Sequence, residues 1–274
     1  MGNVLLKETE TRVREIMGAE IKSITVERAV FGLFFSGVKL SNGQGGLCFT
    51  PVKELPEAVC CPSSSKAMPL SGKLAGRRVD EYLADLENDN ILRKTLAIAT
   101  LNALSSSCWD KTGVLSYEIV KGRDAFDEAT IPKSGKTVVI GAFVPMLKKL
   151  IAEDADFTVL EKDSRTLRGR ELEHYAQASE APIFVPQADL LVITGVTILN
   201  DTLEGILEMA KPAAQIIVAG PTASMLPDAF FRRGVTMLGG IRVTRADDVL
   251  DLISEGGSGY HFLGKSADMI IVRK

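Results

Sequence analysis

The alternation of apolar and polar positions changes rhythm halfway along the chain. In the first half, Val4–Met17 carries apolar residues at helical spacing. Three strand-like runs follow, Ile21–Phe31, Leu33–Leu40 and Gly46–Thr50, the last two joined through Ser41-Asn42-Gly43-Gln44-Gly45. Asn-Gly between apolar runs is a strong hairpin signal, so residues 21–50 are expected to form a three-stranded antiparallel meander. The prolines and serines of Pro51–Ser71 predict a loop, and helices are expected over Arg78–Leu86 and Asp89–Ser106. In the second half, short apolar runs (Lys136–Ile140, Phe157–Leu160, Asp189–Thr194, Gln215–Ala219, Val235–Leu238, Met269–Val272) alternate with helical stretches (Met146–Ala152, Asp201–Met209, Ser224–Arg233, Arg245–Ser254). Asp201 is expected to cap its helix, with Glu204 at capping-box spacing and Lys211-Pro212 as the stop. Alternation of this kind predicts a parallel sheet. The fold class is therefore α/β: an N-terminal α+β domain over residues 1–112, then a Rossmann-like, mainly parallel sheet domain of five or more strands over residues 113–274.

Bulk properties narrow the function classes. A chain of 274 residues with 46% hydrophobic and 24% charged positions fits a soluble protein of one large or two ordinary domains. A net charge of −3 gives no electrostatic case for nucleic acid as a partner. No apolar run reaches the roughly 18 residues that would suggest a membrane span. The first residues place acids where a signal peptide needs an apolar core, and Met1-Gly2-Asn3 lacks the Ser or Thr of a myristoylation motif, Leu6 standing there instead. The four cysteines, Cys48, Cys60, Cys61 and Cys108, form no C-x-x-C, and only His174 and His261 join them. A cytoplasmic setting without a Cys/His metal site is the expectation. Oligomeric state is left open, a homo-oligomer included.

Candidate chemistry gathers at strand ends. Gly141 closes the Lys136–Ile140 run and Glu161 closes the next, about twenty residues on. In a nucleotide-binding βαβ unit the glycine lets backbone approach a ligand and the acid accepts ribose hydroxyls, although the full G-x-G-x-x-G is absent here. Thr194-Gly195-Val196-Thr197-Ile198-Leu199-Asn200 follows a buried-type strand, and Gly220-Pro221-Thr222-Ala223-Ser224 repeats the situation one strand later. Their hydroxyls and amide suit either a polar ligand or ordinary turn and cap duty. Asn102 continues the apolar stripe Leu92, Thr95, Leu96 and Ala99, so it either anchors a neighbouring loop or faces a cleft. Asp247-Asp248 reads as a solvated helix face, Arg232-Arg233 as a helix C-terminus, and His261 as a histidine on a glycine-rich tail loop. No Ser-His-Asp ordering, P-loop or H-E-x-x-H is present.

ITGVTILNDTLEGIL (Ile193–Leu207) and VAGPTASMLPDAFFRRGVTMLGG (Val218–Gly240) resemble the putative heavy-metal chelation family, once a domain of unknown function. VVIGAFVPML (Val138–Leu147), TVLEKD (Thr158–Asp163) and AIATLNAL (Ala97–Leu104) are similar to that family and its N-terminal companion. The resemblance implies an enolase N-terminal-like domain followed by a Rossmann-like one, with a site shared between them. It carries over Asn102, Gly141, Pro145, Glu161, Thr194, Gly195, Thr197, Asn200, Gly220, Pro221 and Thr222. On this reading Glu161 and Asn200 are the catalytic candidates, and Asn102, Thr197 and Asn200 face the substrate. Gly141, Pro145, Glu161, Thr194, Gly195, Thr197, Gly220, Pro221 and Thr222 would hold a cofactor, whose identity stays unknown. The implied role is handling of a small metal-chelating or heterocyclic metabolite such as a pterin, flavin or siderophore, by condensation or hydrolysis. The alternatives are an S-adenosylmethionine-dependent methyltransferase and a non-catalytic carrier or sensor of a metal–chelate complex. No soft-ligand cluster is seen, so the metal is expected to arrive on the metabolite and not on side chains.

Overall fold

The computed structural model describes residues 3–55, 70–113 and 116–274. Cys60, Cys61, the Met1-Gly2 start and most of the expected Pro51–Ser71 loop lie outside the described residues. The chain opens with α1 (Val4–Met17), where Asn3 accepts the Leu6 N–H as a cap and Gly18, at φ +59°, ends the helix. Strands β1 (Val26–Phe31), β2 (Phe35–Leu40) and β3 (Gly45–Phe49) form the antiparallel meander in that order. The meander starts five residues later than its apolar run, because Gly18–Ser23 winds into a 3-10 turn.

Helix α2 (Val79–Leu83) leads to α3 (Ile91–Lys111), capped by the Asn90 side chain, which accepts the N–H groups of Leu92 and Arg93. Helix α3 runs five residues past Ser106, and almost everything from Leu92 to Trp109 is buried. It lies directly on β3. A Cβ on Gly46 would stand 2.1 Å from the Ala99 carbonyl oxygen, so only glycine admits this approach of strand to helix backbone.

The second half builds one sheet from β4 (Glu118–Lys121), β5 (Lys136–Ile140), β6 (Phe157–Glu161), β7 (Tyr175–Gln177), β8 (Ala188–Thr194), β9 (Gln215–Ala219), β10 (Met237–Val243) and β11 (Ala267–Arg273). Their spatial order is β4-β11-β10-β9-β8-β5-β6-β7. The run from β10 to β7 is parallel, and β11 and β4 add antiparallel strands at one edge. Central strands buried on both faces read as unbroken apolar runs, as Leu190–Ile193 does with all four side chains inaccessible. Between the strands lie α4 (Val144–Ala152), α5 (Ala181–Phe184), α6 (Val196–Leu199), α7 (Leu203–Met209), α8 (Asp228–Arg232), α9 (Ala246–Ser254) and α10 (Gly259–Phe262). The chain leaves β5 for β6 on one side, and β8 later pairs with β5 on the other. The order therefore reverses between β5 and β8, which is where open parallel sheets take ligands.

Three sequence expectations are corrected. The helix expected from Asp201 begins at Leu203, because Asp201 sits at φ +59° and caps nothing. Glu204 does not close a capping box: it accepts the Val4 N–H at 3.0 Å and pairs with Arg233. The helix expected from Ser224 begins only at Asp228, because Ser224 is taken up elsewhere. Among the described residues, no helix is long and apolar enough to cross a membrane.

An ion-pair group joins α1 to the second half. Glu8 Oε2 accepts Arg232 Nη2 at 2.8 Å and Arg233 Nη1 at 2.7 Å, and Arg233 also reaches Glu204. Hydrogen bonds from Arg233 and then Arg232 pull the Glu8 carboxyl from its ordinary 4.5 down to about 2. A depressed carboxyl stabilises the folded state fully above its unfolded value and loses that contribution as pH falls through the folded one. Urea unfolding followed from pH 6 to pH 2.5 should therefore show stability falling below about pH 4.5. Glu8→Gln should flatten that part of the profile, and an unchanged slope would show that the pair contributes nothing.

Candidate functional site

The carboxyl edge of the parallel strands brings together most of the residues singled out in the sequence. Gly141, at φ +99°, follows β5, and a Cβ there would lie 3.0 Å from Thr194 Cβ and Cγ2. The chain thus needs glycine twice over, for its dihedral and for the close pass of Thr194. Glu161, at the end of β6, spends its carboxylate on backbone. Oε2 accepts the Ala142 N–H at 3.1 Å, and Oε1 accepts Lys162 N at 2.8 Å and Asp163 N at 3.3 Å. The acid clamps the β5–α4 loop to the β6 turn, which leaves little of it free for a ribose diol. Pro145 stands exposed in the first turn of α4, where its missing N–H costs nothing.

Thr194 is half-buried, and among the described residues its hydroxyl oxygen receives only a long 3.4 Å bond from Val196 N. Thr197 is buried and donates to the Thr194 carbonyl at 2.7 Å, which closes the turn after β8. Gly195 packs under the 3-10 turn Pro221–Ala223: its N–H meets the Ala219 carbonyl at 2.7 Å, and an added Cβ would touch Thr222 Cβ at 3.3 Å. Gly220, at φ +119°, lies beside it. Gly141, Glu161, Thr194, Gly195 and Gly220 therefore stand together at the β6–β5–β8–β9 ends. Asn200 is not among them. Its Oδ1 accepts the N–H and hydroxyl of Thr202, so it shapes the α6–α7 corner.

Asn102 belongs to the joint between the halves. Its Nδ2 donates to the carbonyls of Leu47 (2.8 Å), Thr222 (3.1 Å) and Pro221 (3.2 Å). Three acceptors around one nitrogen fix the amide orientation, and Oδ1 is buried with no partner among the described residues. Thr222 serves the same joint by accepting the Phe49 N–H at 3.0 Å. Ser224 accepts Ile241 N at 2.8 Å and donates to the Pro221 carbonyl.

Sequence reasoning missed two partners on the same face of α3. Lys94, eight residues before Asn102, is buried at 3% exposure, with Nζ at 2.6 and 2.5 Å from the two Asp201 oxygens. Asn3 also donates to Asp201 and to the Ile198 carbonyl. Ser105 accepts the Leu226 N–H at 3.2 Å. The available signal was the helical spacing of Lys94, Asn102 and Ser105. His261 is exposed and accepts the Ser258 N–H at the start of α10, well removed in chain and element from this edge. Burial raises the Cys48 and Cys108 thiols to about 12, which keeps both protonated and poor as metal ligands. Among the described residues, no three of His, Cys, Asp and Glu converge on a point.

Fold and edge together define a two-sheet α/β protein, with its strand-end glycines gathered where the strand order reverses and a helix seam joining the halves. The chain belongs to the family described as putative heavy-metal chelation. One family model matches residues 14–105 and a second matches residues 124–272, both with that description. An uncharacterized protein of Methanocaldococcus jannaschii is 30% identical over 195 residues, 69% of this chain and 70% of the relative. A crystal structure of a family member of unknown function from Pyrococcus horikoshii superposes with a TM-score of 0.77 at 19% identity, covering 98% of this chain and all of that one. A second member, from Desulfitobacterium hafniense, gives a TM-score of 0.68 at 19% identity, covering 96% and 99%. At these identities the structures establish the fold.

The Asn102 junction yields a stability prediction. Asn102→Ala leaves buried carbonyls short of a donor and should cost about 1–3 kcal/mol in urea unfolding. Asn102→Asp turns an oxygen toward those carbonyls and should cost more. Equal stability of Asn102→Asp and wild type would show that the amide does not hold the joint.

Proposed function

We propose that the chain binds a small metal-chelating or heterocyclic metabolite at the carboxyl edge of the parallel strands and takes part in heavy-metal chelation through it. The observation that carries this reading is the convergence of Gly141, Thr194 and Gly195 at the order reversal. Gly141 brings half-buried backbone to the edge there, Gly195 lets the buried turn pack beneath Pro221–Ala223, and the Thr194 hydroxyl retains capacity for a ligand hydrogen bond. Phe143 and Val144 supply half-buried apolar surface beside it. Backbone, a hydroxyl and apolar side chains suit a neutral or delocalised ring better than a bare cation. The protonated state of Cys48 and Cys108 supports arrival of the metal already bound to its chelator.

Capture fits the site better than turnover by its two candidate catalytic residues. Glu161 is occupied by three backbone N–H groups, and Asn200 is occupied by Thr202. Glu161 is not left as a free acid or base and Asn200 spends its Oδ1 on Thr202, so in this reading both are positioning residues. Condensation, hydrolysis or methyl transfer would need other groups.

Calorimetric titration with a pterin, a flavin and S-adenosylmethionine, each with and without nickel or zinc, checks the reading. A heterocycle or its metal complex should bind in the micromolar range, and the metal salt alone should not. Thr194→Val removes one hydroxyl and should weaken that binding about tenfold while leaving the urea midpoint nearly unchanged. Tight binding of the bare metal, or binding indifferent to Thr194→Val, would overturn the reading. Mass spectrometry of the recovered heterocycle then separates capture, which leaves its mass unchanged, from turnover.

A further inference from the structure

The segment after β3 is tied to two loops of the edge just described. Its near end is fixed. Phe49 N–H is held by Thr222 Oγ1 in the loop after β9, Thr50 N–H by the Phe34 carbonyl at 3.0 Å, and the buried Thr50 and Ser36 hydroxyls meet at 2.8 Å. Its far end lies over another strand: Lys53 Nζ reaches Asp163 Oδ2 at 2.6 Å, two residues past β6, and Glu54 faces Lys162 at 3.7 Å. In the sheet, β8 and β5 stand between β9 and β6. Three strand spacings amount to about 14 Å. Four backbone steps from Phe49 reach about 13–14 Å at full extension and a lysine side chain adds to that, so the span is within reach. The shortest path from Thr222 to Asp163 passes over the ends of β8 and β5, where the strand order reverses. Pro51 is buried along it, and Val52, Lys53 and Glu54 are exposed.

We propose that residues 51–55 are a strap over the β5–β8 reversal, hinged at Thr50 and latched by the Lys53–Asp163 ion pair. The strap concerns the edge to which the metabolite is assigned and rests on that reading only for what it admits.

The two ends differ in kind. The hinge is built from buried backbone and hydroxyl hydrogen bonds, which open only with the surrounding structure. The latch is an ion pair in which the Lys53 side chain is 70% exposed, so it is weak and screened by salt. Between them the strap's backbone pairs among the described residues are its own turn bonds: Val52 N to Thr50 O at 2.8 Å, Glu54 N to Pro51 O at 2.9 Å and Leu55 N to Val52 O at 3.4 Å. Asp163 is also held in place when the lysine leaves. Its Oδ1 accepts both the backbone N–H and the Nε of Arg165, so the latch post stays charged and oriented through opening. Of the two ends, the exposed ion pair is the one that opens first.

Hydrogen exchange on the full chain without ligand tests the strap. Lys53→Ala removes only the Asp163 pair among the described residues and should speed exchange at the Val52, Glu54 and Leu55 amides about fivefold, the scale of one exposed ion pair. Phe49 and the amides of β8 should not change. Wild type in 1 M sodium chloride should reproduce the effect, with Lys53→Ala responding less. Unchanged strap exchange in Lys53→Ala, or equal acceleration at Phe49 and across β8, would overturn the proposal. Because no ligand enters the experiment, failure of the strap and failure of the metabolite reading are told apart.

Discussion

One face of α3 decides how the two halves meet. Lys94, Asn102 and Ser105 lie along it, and each takes hold of a different point in the second half: the Asp201 carboxylate, the Pro221–Thr222 carbonyls and the Leu226 N–H. Buried polar groups are costly unless paired, so each bond has to form for the helix to be buried at all. Sequence and geometry combine here. A helix fixes the rise between the three side chains, and the loops after β8 and β9 must present their groups at matching heights. A pairing of this sort specifies one relative placement of the halves, which apolar packing alone would not.

That constraint reassigns much of what looked like ligand chemistry. The loop Pro221–Ser224 turns its polar atoms toward α3, β3 and β10, through Thr222 to Phe49 and Ser224 to Ile241. Asp201 holds the unusual φ of +59° while accepting from both Lys94 and Asn3. The ion pair and cap that meet there compensate for a backbone that a non-glycine residue seldom adopts. What is left facing the strand ends is small: glycine backbone, the Thr194 hydroxyl, and the rim of α4.

The strands and most helices were legible from hydrophobic period, and β5 and β9 have the bounds their apolar runs suggested. Strands β4 and β7 were not. They are short edge strands of four and three residues, too brief for a period to register. The false cap at Asp201 shows a different limit. Asp followed three residues on by Glu satisfies the local rule, yet both acids found stronger partners far along the chain, Lys94 and Arg233. Local propensity yields to a buried cation. The clustering of Gly141, Glu161 and Thr194 could be anticipated from strand-end positions, whereas the partners of Asn102 could not. Carbonyl acceptors carry no side-chain signature, so a junction made from them is invisible in sequence.

The division of labour between side chains and backbone bears on how such a chain would deal with metal. Soft cations are held by thiolates or imidazoles, and a thiol raised to about 12 by burial offers neither charge nor access at neutral pH. Cys48 shows the reason in its surroundings: it is fully buried on β3, and its neighbour Lys94 already has Asp201 as counter-charge. Freeing the thiolate would require opening the α3 seam, and with it the contact between the halves. A metal delivered inside an organic chelator avoids that cost, because the chelator's own donors already fill its coordination positions. Glycine backbone and a single hydroxyl then suffice as partners. The seam and the proposed mode of binding are linked, since the polar groups that fasten the fold are the ones withdrawn from the ligand.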